Sequence, residues 1–94
     1  MDFILDTPAD IAQKLAVRLK SIRKRKKITQ KTLAVRSNVS YATLRKFEQT
    51  GQISLESLIK LCMELGVIGE IKDLFTKPIY SSIEEVINDK IQKP

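Results

Sequence analysis

The chain has 94 residues, 43% of them hydrophobic, 5% aromatic and none Trp, with a formal charge of +6. That composition supports one small, largely aliphatic core; a single cysteine excludes an internal disulfide, and apolar runs of only a few residues exclude a membrane-spanning helix. The charge is segregated: twelve Lys and Arg and no acid lie between Ile11 and Phe47, three acids in residues 1–10, and eight acids against five bases in residues 48–94, a distribution that favours a polyanion docked on one side.

Helix signals dominate from the start. Thr7-Pro8-Ala9-Asp10 reads as an N-cap, a proline at the first helical position and an acid near the positive end. Ile11, Leu15, Leu19 and Ile22 then lay down one apolar stripe. This first helix is expected to end near Lys26 or Lys27, where cations suit its negative end. Three further starts share one pattern: Ile28-Thr29 before Leu33, Val39-Ser40 before Leu44, and Ile53-Ser54 before Leu58. Each is a hydroxyl cap flanked by an apolar residue on either side at staple spacing. The second helix is therefore expected over 30–37, the third over 41–50 and the fourth over 55–65, stopped by Gly66. A fifth, about 69–76, would bury Ile71, Leu74 and Phe75. Pro78 marks a break, and Ser81-Ser82-Ile83-Glu84-Glu85 offers capping boxes for a last helix reaching about Gln92. The expected organisation is a compact body over 9–76 and a C-terminal helical appendage over 77–94.

The second and third helices are too short to stand alone and must pack across each other. In the third, Leu44, Phe47 and Glu48 fall on one side and Ala42, Arg45, Lys46 and Gln49 on the other, with Tyr41 and Thr43 on the flanks. In the second, Leu33 and Ala34 face inward, and Asn38 at the corner tolerates the positive φ that a tight turn needs. An outer face of donors, cations and a methyl, with no carboxylate to repel phosphate, is what a helix lying in the major groove presents. The pattern predicts a helix-turn-helix.

Arg23, Thr29-Gln30, Leu33-Ala34, Asn38-Val39-Ser40, Leu44, Phe47 and Glu48 resemble the Cro/phage-repressor (XRE) family over about residues 15–66. The resemblance implies an all-α, five-helix repressor-type helix-turn-helix domain, dimeric, binding a palindromic operator in double-stranded DNA. Carried over by position, Gln30 would touch a phosphate and brace the recognition helix, Tyr41, Ala42 and Thr43 would read bases, and Arg45 and Lys46 would lie near base edge or backbone. Lys31 and Ser40 complete the DNA-facing set, and Arg23 and Glu48 form a structural pair. Two positions depart from the family pattern: Asn38 stands where Gly is common, and Gln49-Thr50 precede Gly51 where one residue is usual. The string SYATLRKFEQTGQISLESLIKLCMELG further resembles HipB-like antitoxins, which implies a HipA-like Ser/Thr kinase toxin as partner. A stand-alone repressor, or an inhibitory protein-binding module with DNA binding secondary, remain the alternatives; Ile79, Ile83, Val86, Ile87 and Ile91 supply the apolar surface that a protein contact needs.

An enzyme is not expected. There is no His, Cys62 lies on the apolar side of the fourth helix, and Glu84 and Glu85 diverge as neighbours. Gly51, Gly66 and Gly69 form no phosphate loop, no metal-ligand spacing occurs, and no cofactor is implied. Asp2 and Asp6, with no basic region before a long apolar stretch, argue against a secretory signal. The lone cysteine fits a reducing compartment, so a cytoplasmic, nucleoid-associated protein is expected.

Overall fold

The computed structural model describes residues 6–78: α1 (Pro8–Arg25), α2 (Gln30–Ser37), α3 (Tyr41–Thr50), α4 (Leu55–Glu64) and α5 (Ile68–Lys72). All five described elements are helices, and the all-α expectation holds. The starts follow the sequence signals. Thr7 and Asp10 form a reciprocal capping box, with both bonds 3.1 Å. The hydroxyls of Thr29, Ser40 and Ser54 accept from the amides of Thr32, Thr43 and Ser57 at 3.0–3.1 Å, satisfying donors that a helix start leaves orphaned. The six staple residues, Ile28 and Leu33, Val39 and Leu44, Ile53 and Leu58, all belong to one apolar cluster.

The stops share a device. Lys27 (φ +58°), Asn38 (φ +58°), Gly51 (φ +82°) and Gly66 (φ +76°) turn the chain left-handed after α1, α2, α3 and α4. After α2 the amides of Asn38 and Val39 return to the carbonyls of Val35 and Ala34, and after α4 those of Gly66 and Val67 return to Met63 and Cys62, which satisfies the last carbonyls while reversing the chain.

α1 packs on α3, α2 on both α3 and α4, and α4 on α5. Between them lie Ala16, Leu19, Leu33, Ala34, Val39, Leu44, Phe47, Leu61, Cys62 and Leu65, all buried. Two expectations need correction. The inward side of α1 is centred on Ala16, Leu19 and Arg23; Ile11 and Leu15, which the stripe placed inward, are half exposed because they sit at its margin, with Leu15 at the lip of a groove lined by Leu58, Cys62, Val67 and Ile71. The fifth helix also ends at Lys72 rather than 76. The chain leaves it through turns, with Phe75 at φ +63°, so Leu74 and Phe75 stay exposed, Phe75 at 97%. The helix expected between Ser81 and Gln92 lies outside the described residues.

Candidate nucleic-acid interface

α3 turns its two sides as its sequence requires. Leu44, Phe47 and Glu48 are buried, whereas Ala42, Arg45, Lys46 and Gln49 are exposed. Tyr41 is 38% exposed and Thr43 is half-buried. Ser40 spends its hydroxyl on the helix start, accepting from the Thr43 amide and donating to Thr43 Oγ1 at 2.7 Å; the Thr43 hydroxyl keeps its own proton to donate. Lys31, exposed at the start of α2, holds its ammonium 5.7 Å from the centroid of the Tyr41 ring. Lys31, Ser40, Tyr41, Ala42, Arg45 and Lys46 thus all open to solvent.

The angle of that surface is set from beneath. Glu48, buried, receives Arg23 Nε on Oε2 at 2.7 Å and Arg23 Nη2 on Oε1 at 3.0 Å. Gln30 Nε2 donates to Oε1 at 2.7 Å, and Arg23 Nη1 donates to the Ile28 carbonyl at 2.8 Å. One carboxylate therefore joins α1, the start of α2 and α3. Burial alone would raise the Glu48 pKa; the hydrogen bonds from Arg23 and Gln30 and the charges of Arg23 and Lys20 outweigh it and hold the carboxyl below its ordinary value. Of the two expected roles of Gln30, bracing the third helix is the one that this hydrogen bond performs.

Two further clamps were not legible as motifs. The Gln13 amide, oriented by the hydrogen bonds it can make, donates to the carbonyls of Gln49 at 2.9 Å and Thr50 at 3.3 Å, tying α1 to the end of α3. Gly51 approaches α1 so closely that a Cβ there would stand 2.6 Å from the Ala12 carbonyl carbon. Nothing at Gln13 marks it in the sequence, since a polar residue on an amphipathic helix usually faces water. Thr50, the second of the two residues between Glu48 and Gly51, closes α3 by donating to the Lys46 carbonyl at 2.7 Å and accepting from the Gln52 amide at 3.1 Å.

Charge follows the same geometry. Among the described residues, ion pairs join Lys14 to Asp6, Arg23 to Glu48 and Lys60 to Glu56; the exposed Lys31, Arg36, Arg45 and Lys46 make none there. Among the described residues no group of three His, Cys, Asp or Glu side chains is placed to hold a metal, and no helix is long and apolar enough to cross a membrane. A family model described as helix-turn-helix (HTH_3) matches residues 19–67, from the middle of α1 to the start of α5. No curated protein matches the chain significantly.

Proposed function

The chain belongs to this helix-turn-helix family, one of DNA-binding transcription regulators, and from that premise we propose that it is a sequence-specific repressor whose α3 lies in the major groove. The observation that carries the reading is the division of α3: Leu44, Phe47 and Glu48 lock it from below, and Ala42, Arg45, Lys46 and Gln49 face outward with no acid among them. Affinity comes from Lys and Arg on phosphate with release of counterions. Specificity comes from Tyr41, Ala42, Thr43, Arg45 and Lys46 at base edges, with Gln30, Lys31 and Ser40 setting register on the backbone. A two-fold dimer reads a palindrome whose half-sites lie about one helical turn, roughly 34 Å, apart. Residues 9–76 form the DNA-binding body, and residues 77–94 contact the second copy or a partner.

The resemblance of residues 40–66 to HipB-like antitoxins supports a narrower role: repression of the chain's own operon together with inhibition of a HipA-like Ser/Thr kinase toxin, in the cytoplasm on the nucleoid. One structural observation favours the protein-binding part of this reading. Leu74 and Phe75, adjacent in the segment after α5, are 51% and 97% exposed, apolar side chains that a protein contact would cover. The experiment is a titration of the chain against duplex DNA from upstream of its own gene at several salt concentrations. Protection of a palindrome, with affinity falling steeply as salt rises, is expected. Binding that ignores both sequence and salt, or no binding, rejects the repressor.

A further inference from the structure

The turn between α2 and α3 leaves a shallow notch beside the outward face of α3, lined by Lys31, Ala34, Val35, Val39, Ser40 and Tyr41. Ala34, Val35 and Val39 line it with methyl groups. Ala34 and Val39 are buried, while Val35 is 82% exposed and contributes nothing to the core. The Tyr41 ring forms one wall, with the Lys31 ammonium 5.7 Å from its centroid. The notch therefore lies at the end of α3 by which such helices enter the groove. Lys31 is the one charged residue of its lining, and no carboxylate occurs anywhere from residue 11 to residue 47, so a polyanion approaches it unopposed.

Only one apolar group is presented on the floor of the major groove: the 5-methyl of thymine. We propose that the notch receives the 5-methyl of one thymine in each half-site, which makes Val35 a specificity-determining residue. This inference rests on the duplex-binding reading above and adds to it a residue of α2 that the family resemblance does not assign.

The full chain is used to select its operator from a random duplex pool. Each thymine of that operator is then replaced singly by deoxyuridine, which deletes the methyl and keeps the hydrogen-bonding edge. One thymine in each half-site is expected to lose about fourfold in affinity, the equivalent of burying one methyl group. Val35→Thr keeps the shape at an exposed helical position, and its fold is checked by its unfolding midpoint; its preference for thymine over uracil at that site should fall below about twofold. Val17→Thr, at a position 55% exposed on α1, should keep the full preference. An operator bound equally well with uracil at every position, or a preference that persists in Val35→Thr, overturns the notch and leaves the repressor standing. A pool from which no duplex is enriched sinks both.

Discussion

The Arg23 guanidinium and the Glu48 carboxylate meet edge to edge, Nε 2.7 Å from Oε2 and Nη2 3.0 Å from Oε1, with 9% and 3% of their side chains exposed. Twenty-five residues separate them in sequence, so the pair fixes α3 against α1 rather than stiffening either helix. Glu48→Ala leaves a guanidinium buried without its counter-charge, and a loss of about 3–5 kcal/mol in urea unfolding is expected. The double variant Arg23→Met/Glu48→Leu removes both charges and should lose at least about 1 kcal/mol less. Equal losses in the single and double variants would show that the ion pair is not what the fold depends on.

The same carboxyl gives the protein an acid-sensitive joint. Burial opposes the charge of Glu48, but its hydrogen bonds and the nearby cations win, and its pKa in the folded state lies below the unfolded value. Its contribution is therefore complete above the ordinary carboxylate range and is lost as pH falls through the lowered folded value. Protonated Glu48 and the amide of Glu48→Gln are both neutral. The stability gap between the wild type and Glu48→Gln should thus be widest at neutral pH and close as pH drops below the ordinary carboxylate range. A gap that stays constant or widens in acid contradicts the assignment.

Gly51 is irreplaceable for two separate reasons. Its φ of +82° is left-handed, and the atoms an added Cβ would meet are backbone: the Ala12 carbonyl carbon at 2.6 Å and the Gln13 nitrogen at 2.7 Å. No side-chain rotation relieves such a contact, so α3 must separate from α1. Gly51→Ala should cost about 3 kcal/mol or more. Gly66→Ala is the comparison. It shares the left-handed φ (+76°) but has nothing within 4 Å of the added atom, so it should cost only the backbone strain, about 1–2 kcal/mol. If the two variants unfold at the same urea concentration, the close approach has no energetic weight.

What the sequence made legible is what local chemistry decides. Hydroxyl caps with apolar residues on both sides located the starts of α2, α3 and α4, and Asn38 and Gly66 located two of the stops. The two sides of α3 followed from helical periodicity alone. What stayed illegible depends on where a neighbouring helix lies. Ile11 and Leu15 have the right spacing for a core stripe, but the buried side of α1 is centred on Ala16, Leu19 and Arg23, which leaves those two aliphatics at its margin. Leu74 and Phe75 looked like core because they are apolar, yet α5 ends two residues before Leu74. Lys27 adopts φ +58° with no glycine to announce it. Gln13 became a clamp only because the end of α3 passes within reach.

The C-terminal residues carry the association half of the proposal. Every buried apolar side chain among the described residues lies between Ala16 and Leu65, so removing 79–94 should leave the body folded, with an unfolding midpoint within a few degrees of the full chain. Sedimentation and partner titration should show the loss: a weaker dimer, or weaker binding to a co-encoded kinase. Unchanged oligomeric state and unchanged partner affinity would remove residues 79–94 from any association role.

Arg45 separates reading from mere attraction. It is exposed on α3, on the side away from Leu44, and its guanidinium has no carboxylate partner among the described residues. If it reaches a base edge in a bidentate contact, Arg45→Ala should cost about 1–3 kcal/mol on the operator and much less on unrelated duplex. Lys31→Ala, by contrast, should weaken both duplexes similarly and lower the salt slope by about one. The measurement is affinity for both duplexes at several salt concentrations. Parallel losses for Arg45→Ala on operator and unrelated DNA would reassign it to the phosphate backbone, and sequence reading would then fall to Tyr41, Ala42, Thr43 and Lys46.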